Sequence, residues 1–487
     1  MNSSEPVLER RLHPVGMLLA ALRTVRDLSG AAALPGVVAL INGEFGMRTL
    51  LLVLVGLALL GALSVVWGFL SWRATTYRVS GGAFHFKRGV LQKSERSLPL
   101  DHVQSVNTVQ GIVQRLFGVL EVRIEAAGGG GEPEISLPAL SRPEVEALRE
   151  ELTSARRTYE RADETSVESS PTVIRRLSVG DLLLAGLTSG QIGVAAAVVF
   201  GAWQTLDDLL RRDLAERISE ALLPRTFFAA LLLAFAVALF AWVLAILGTI
   251  LAHAGFTLSR SADGKYLYVK RGLLNRYETT IPVARIQAIR VVEGALRQPL
   301  GYAALRVESA GFADERGVST ALFPLLPRKE VEELLQGAAP RFAAPLEHLK
   351  PLPARARRRY TVRAALAALP ISVLLAVLLF PWGILALLFA LPAALYGSLL
   401  YRAAGHGLDG DQLVLRFRRL ARTTIVAPRG RLQSRGFSVS PLQRRQRLAT
   451  LRVEVASGSG GAAFRLADVE AASATDMVER LGPEIVA

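Results

Sequence analysis

Thr49 to Leu70 and Thr226 to Leu251 each run for more than twenty residues without a charge. A helix of about 20 apolar residues covers the ~30 Å hydrocarbon core of a bilayer. A chain carrying two such blocks is committed to crossing a membrane. Composition agrees, because 51% of the residues are apolar and only 20% charged, and the apolar ones are gathered in blocks. This distribution excludes a simple soluble enzyme, a disordered chain or a collagen-like fibre. Four weaker segments, Leu28 to Met47, Leu182 to Trp203, Ala364 to Phe380 and Gly383 to Tyr401, complete an expected set of six spans in three pairs. Pro381 and Trp382 separate the last two and suit a tight turn, while Pro370 and Pro392 predict kinks.

Charge sets the expected orientation. The loop from Gly201 to Arg225 carries four Arg against five acids, whereas residues 253 to 363 carry 19 basic against 10 acidic, and 401 to 487 carry 14 against 8. Basic loops stay on the cytoplasmic side, so the inter-pair segments and both termini are expected inside, at the bacterial inner membrane. Arg10 and Arg11 precede an apolar stretch that Arg23, Arg26 and Asp27 interrupt, with no clear cleavage site, so no removable signal is expected. Met17 to Leu22 then reads as an interfacial lead-in helix. Arg10-Arg11-Leu12, Arg175-Arg176-Leu177 and Arg358-Arg359-Tyr360 read as one lead-in repeated before each pair.

Between the pairs the chain repeats itself. Residues 87–128 laid on 270–311 agree at 14 of 42 positions without a gap, among them Lys87/Lys270, Arg88/Arg271, Gly89/Gly272, Pro99/Pro282, Gln104/Gln287, Gly118/Gly301 and Glu125/Glu308. A further offset of 146 gives a worn third copy through Leu420, Arg422, Pro428, Arg431, Gln433 and Leu451 to Glu454, with Arg418 and Arg447 where glycines stood. Each copy reads as mostly β. Strands are expected at Tyr77–Val79, Ala83–Lys87 and Val119–Ala126, at Tyr266–Lys270 and Leu305–Ser309, and at Leu413–Phe417. Helical patterns at Arg142–Leu152, Arg328–Leu335 and Ala471–Leu481 close the copies. Arg418 is expected in a turn different from those of Gly89 and Gly272, since glycine alone enters positive φ freely.

A span pair, Tyr-x-Val/Leu-Ser, a Lys-Arg-Gly-hydrophobic-Leu turn, Pro-x-x-x-Val/Ile-Gln, a glycine and Arg-Val/Ile-Glu together resemble the bacterial membrane-flanked domain, also called the bacterial pleckstrin-homology-like domain. The resemblance covers nearly the whole chain, three times over. It implies a multi-pass membrane protein with small barrels facing the cytoplasm, each closed by a C-terminal helix, and no established catalysis. The expected divisions are 1–72 for the lead-in helix and first pair, 73–157 for module 1, 158–176 as a linker and 177–252 for the second pair. Module 2 follows at 253–342, a basic linker at 343–361, the third pair at 362–401 and the divergent module 3 at 402–487.

Chemistry-bearing motifs are few. The chain has no cysteine, and its six His residues are dispersed, so neither a thiolate site nor a metal or other cofactor site is expected. Gly-x-Ser-x-Gly, His-Glu-x-x-His and phosphate-loop patterns are absent, which argues against an enzyme. Gly128 to Gly131 reads as a hairpin tip, and Glu44 and Asp181 as capping or topology residues near span ends. The basic positions stand out. Lys87, Arg88, Lys270, Arg271, Arg416, Arg418 and Arg419 cluster at the shared turn, and Arg444, Arg445 and Arg447 form a second run in the third copy. They read either as a solvated cationic face or as a site for anionic headgroups or a membrane protein partner, including a homo-oligomeric one. Nucleic acid is not expected, since no aromatics interleave with the basic runs. The leading expectation is a non-enzymatic inner-membrane protein; the other is a transporter or envelope-stress export component with a path through six spans.

Overall fold

The computed structural model describes residues 9–27, 47–126, 134–159, 171–188, 227–309, 320–346, 349–378, 382–457 and 461–482. The expected span Leu28–Met47 falls outside these residues except for Met47, as do the second half of Leu182–Trp203, Glu44 and the glycine run Gly128–Gly131.

Module 1 begins before its membrane helices. Strand β1 (Arg10–Arg11) leads into helix α1, helical over residues 15–27, and the chain returns through α2 (Met47–Arg73). Strands β2 (Thr76–Ser80), β3 (Ala83–Arg88) and β4 (Ser94–Pro99) follow and form one antiparallel sheet with β1. Strands β5 (Val103–Gln110), β6 (Val119–Ala126) and β7 (Ile135–Ser141) make the second sheet, with the short helix α3 (Ile112–Leu116) between β5 and β6. Helix α4 (Arg142–Tyr159) closes the module, and Glu144 accepts hydrogen bonds from the Ser141 backbone and hydroxyl at its start. Alternation along the strands buries Phe84, Phe86, Val122, Ile124, Ile135 and Leu137 together with Leu148 of α4, so the period-two pattern makes the core.

The other modules repeat this order. Module 2 has β8 (Thr172–Arg176), α5 (Val179–Leu187), α6 (Phe227–His253), β9 (Thr257–Arg260), β10 (Tyr266–Arg271) and β11 (Arg276–Pro282). Its second sheet is β12 (Ile286–Glu293), β13 (Tyr302–Ser309) and β14 (Thr320–Pro327), closed by α7 (Val331–Ala338). Module 3 has β15 (Lys350–Pro351), α8 (Ala354–Leu378), α9 (Ala390–Ala403), β16 (Gly405–Asp409), β17 (Gln412–Arg418) and β18 (Arg422–Pro428). It ends with β19 (Leu432–Ser438), α10 (Pro441–Arg444), β20 (Leu448–Val455), β21 (Ala462–Glu470) and α11 (Ala471–Arg480). Among the described residues four helical stretches are long and apolar enough to cross a membrane: Leu54–Arg73, Phe235–His253, Ala354–Leu378 and Ile384–Ala403. The last begins as a 3₁₀ helix, Trp382–Phe389, and becomes α-helical at Ala390, so that Pro392 falls in the first α-helical turn, where a missing N–H costs least.

Three expectations change. The third lead-in is not Arg358-Arg359-Tyr360, which lies inside α8; Lys350 and Pro351 pair with β16 as Arg10 and Arg11 pair with β2, and Leu352 follows as Leu12 does. The linker 158–176 therefore ends in a strand of the next module's sheet, and 343–361 contains such a strand and then the first turns of α8. Met17 to Leu22 lies within the longer α1, which crosses α2 at Gly68, where a Cβ would press on Met17 O and Ala21 N. α8 and α9 cross in the same way at Gly397, against Tyr360 and Thr361, and α5 meets Ile246 of α6 at Gly186. Small residues let apolar helices approach closely where no hydrophobic force brings them together.

The modules are joined edge to edge. β5 of module 1 pairs with β11 of module 2, and β12 of module 2 pairs with β18 of module 3, giving two seven-stranded sheets that each span a module boundary. Val414 and Val426 of module 3 enter the core of module 2, and Ala288 of module 2 enters that of module 3.

Candidate functional site

Each barrel is tied to its membrane helices at one corresponding place. Eleven residues beyond the lead-in leucines Leu12, Leu177 and Leu352 stand Arg23, Thr188 and Arg363. Arg23 donates to Glu121 at 3.1 Å, and Arg363 donates to Asp468 at 3.1 Å. In module 2 the polarity is reversed: Arg297, on the barrel, donates to the Thr188 hydroxyl at 3.0 Å and to Ala185 O at 3.3 Å. The barrel side of the tie is a bulge in the last strand, where Pro138-Ala139, Pro324-Leu325 and Ala467-Asp468 each oppose a single residue of the neighbouring strand. Residues equivalent by the repeat fill its other side: Gln114 donates to Pro138 O, Arg297 to Pro324 O, and Gln443 to the Asp468 carboxylate. Asp468 is fully buried and also accepts from Arg359 at 2.9 Å, so two guanidiniums of α8 close on one carboxylate.

Two tips of each module stand out, and the first of them meets the membrane helix in modules 2 and 3. One is the hairpin between the third and fourth strands. In module 2, Gly272 N and Leu273 N donate to Ala254 O and Leu251 O at the end of α6, both at 2.9 Å. In module 3 the Tyr396 hydroxyl, almost two turns inside α9, donates to Arg419 O. Leu91, Leu274 and Leu420, equivalent by the repeat, project from these hairpins and are 88%, 45% and 81% exposed. The second tip follows the first strand of the second sheet, and it too bares apolar side chains: Ile112, Leu116 and Phe117, then Leu296 and Leu300, then Leu442. Leucines exposed beside cationic stems at the base of a membrane helix suit the headgroup boundary, where the apolar part sinks and the charge stays in water.

The expected basic residues divide between module boundaries and chain ends. Lys270 and Arg271 lie at the first boundary; Lys270 pairs with Glu278 at 2.9 Å and Arg271 stacks over Tyr277. With Arg142 and Arg276 they line a cavity of about 370 Å³ that reaches Ala254 and Gly255 at the foot of α6 and contains one carboxylate, Glu278. Arg416, Arg418 and Arg419 lie at the second boundary, where Arg422 makes two hydrogen bonds of 2.5 Å to Glu293. Burial, and then the charge of Arg422, push the Arg416 guanidinium below its ordinary value. Lys87 and Arg88 sit on the hairpin of module 1, where Lys87 pairs with Glu9 at 3.0 Å, and Arg444, Arg445 and Arg447 lie exposed on the far tip of module 3. These last five share no site with the boundary groups within the chain. Ser178 caps α5, its hydroxyl accepting from the Asp181 amide and donating to the Asp181 carboxylate, which accounts for Asp181. Among the described residues no three His, Asp or Glu groups converge on a metal position. The membrane ties were missed in the sequence because each contact joins residues about 100 positions apart; the equal spacing of Arg23 and Arg363 from their lead-in leucines was the available signal.

Apolar helices long enough to cross a membrane, alternating with two-sheet modules that each end in a closing helix and are joined to the preceding helices by a polar tie, define a membrane protein built on repeated pleckstrin-homology-like domains. The family model for the Bacterial PH domain matches residues 29–156, 209–341 and 363–482, and the chain belongs to that family. It is 30% identical over 470 residues to the UPF0699 transmembrane protein YdbT of Bacillus subtilis (strain 168), with 94% of each chain covered. No solved structure matches it.

Proposed function

We propose that this is a non-enzymatic protein of the bacterial inner membrane whose modules hold anionic lipid headgroups at the cytoplasmic surface. The cavity at the first boundary carries this reading: four cationic side chains and one carboxylate surround a space of about 370 Å³ at the foot of a membrane helix, beside an exposed leucine hairpin. Its size is within the range of small-molecule sites. An anion entering there would offset the charge that Arg142, Arg276 and Arg271 place near one another, and the lipid tails would follow the apolar helix. Six spans with both termini cytoplasmic complete the proposal. Its support is that the strand entering each pair lies beside the first strand leaving it, β1 with β2, β8 with β9 and β15 with β16, so each pair returns to the side it left.

The test uses the full chain in nanodiscs of mixed phosphatidylglycerol and phosphatidylcholine, released into native mass spectrometry. The wild-type chain should retain phosphatidylglycerol preferentially, and the variant K270Q/R271Q/R276Q should retain several-fold less. Equal retention of the two lipids, or retention unchanged in the variant, would overturn the headgroup reading and leave the basic tips to a protein partner.

A further inference from the structure

The two module boundaries are one interface used twice. At the first, Gln110 pairs with Arg276, Val109 with Tyr277 and Thr108 with Glu278; at the second, Glu293 pairs with Arg422, Val292 with Thr423 and Val291 with Thr424. The repeat offsets of 183 and 146 carry the first set onto the second residue for residue. In each case the first strand of one module's second sheet meets the fourth strand of the next module's first sheet, antiparallel and in the same register.

Three modules in a row have two such boundaries and leave two edges over. Among the described residues, β4 of module 1 pairs only with β3, and β19 of module 3 pairs only with β20. These are the complementary halves of the interface: β4 corresponds to β11 and β18, and β19 corresponds to β5 and β12. The edges are also bare. Phe437 on β19 is 43% exposed, and Glu95, Arg96 and Ser97 on β4 are exposed, whereas β12 and β18, which occupy the same positions inside the chain, are mostly buried. Charges on β4 do not bar pairing, since β11 and β18 carry Glu278 and Arg422 and pair nonetheless. The hairpin and short-helix tips follow the same logic. At the first internal boundary the short-helix tip of one module adjoins the hairpin of the next, where Gly111 lies against Asn275. The remaining hairpin with Lys87, Arg88 and Leu91, and the remaining tip with Leu442, Arg444, Arg445 and Arg447, stand at opposite ends of the row.

We propose that β19 of one copy of this chain pairs with β4 of a second copy, repeating the internal boundary between molecules. The register then sets Val439 opposite Lys93, Ser438 opposite Ser94, Phe437 opposite Glu95 and Gly436 opposite Arg96, and it brings Arg435 diagonal to Glu95 on one face. An interface between unlike edges is head-to-tail, so it builds a ring where its rotation closes and an open row where it does not. The contact lacks the Arg422–Glu293 fork, because Lys93 and Val439 replace it, and it therefore joins copies more loosely than modules 2 and 3 are joined within a chain. Nothing in it depends on what the basic cavity binds.

The chain has no cysteine, so the pairing can be tested by engineered disulfides. Directly opposed residues in a ladder lie within disulfide reach, while a displaced register does not. Two differently tagged full-length copies, one carrying Ser94→Cys and the other Ser438→Cys, are coexpressed and the membranes oxidised without solubilisation. A disulfide joining the two tags should form at least tenfold faster than one between Ser97→Cys and Ser438→Cys copies. A chain carrying Val292→Cys and Thr423→Cys, the equivalent pair at the internal boundary, reports that such cysteines oxidise in a correctly folded protein. Absence of the Ser94–Ser438 link while the internal pair forms, equal linking through Ser97, or capture of Ser438→Cys by a different protein would each overturn the proposal.

Discussion

Two residues show how the third module lost its glycines without losing its fold. Gly89 and Gly272 have φ of +110° and +103°, and a Cβ on either would collide with a carbonyl, that of Gln92 or Asn275. Arg418 does not have positive φ; β17 and β18 run on through it and pair Arg418 with Arg422, so the third hairpin turns later and more tightly. Arg447 is different, for it keeps φ of +51° where Gly118 and Gly301 have +68° and +73°. A side chain fits there because a Cβ at those glycines would meet nothing, leaving only the backbone cost. Gly272→Val should therefore destabilise the protein by more than the ~1 kcal/mol typical of a lost glycine, because strain and collision add. Arg447→Gly should be stabilising by up to about 1–2 kcal/mol, the cost of left-handed backbone in an L-residue. Thermal unfolding of the two full-length variants in one detergent checks both signs.

Among the elements, the links between barrel and membrane helices differ in what else holds the carboxylate. Asp468 is fully buried and its two ion pairs both come from α8, Arg359 and Arg363, whereas the buried Glu121 of module 1 is also held by Arg123 and Ser136 of its own barrel. Removing Asp468 leaves Arg359, whose side chain is 19% exposed, and Gln443 without their acceptor, at up to about 3–5 kcal/mol. Removing Arg23, half open to water, leaves Glu121 partnered and costs about 1 kcal/mol or less. Asp468→Ala should accordingly free module 3 from α8 and raise its rate of limited proteolysis sharply, while Arg23→Ala should change the cleavage of module 1 little. Equal sensitivity of the two would mean that helix crossing at Gly68 and Gly397, rather than the polar tie, holds the barrels in place. The helices themselves follow their sequence closely: α2 and α6 are apolar on every side and little of their surface is covered by the rest of the chain, as a helix facing lipid requires.

At the scale of the whole molecule, two strand-to-strand boundaries convert three small domains into one row. The proposed topology of six spans with cytoplasmic termini puts residue 215 outside the cell and residue 313 inside. A single cysteine at Ala215 should react with an impermeant maleimide in intact cells, and one at Ala313 should react only after lysis; the reverse pattern would reject the topology. The triple repeat, the hairpin motif and the basic turns were legible because each is local, with a period or spacing that a single strand or helix imposes. The apolar blocks were legible for the same reason, since lipid demands an uninterrupted run of one kind of residue. The third lead-in was misread because Arg358-Arg359-Tyr360 imitates Arg10-Arg11-Leu12 in composition, while its true counterpart, Lys350-Pro351-Leu352, is recognised only by the strand it pairs with. By itself the sequence determined that this chain lies in a membrane and carries one barrel three times. Which edges meet, which carboxylate each helix arginine finds and where a headgroup-sized space opens were decided by tertiary structure, because those contacts join residues roughly 100 or more apart. A ladder hydrogen bond is made by backbone common to every residue, so no side-chain pattern announces which strand will receive it.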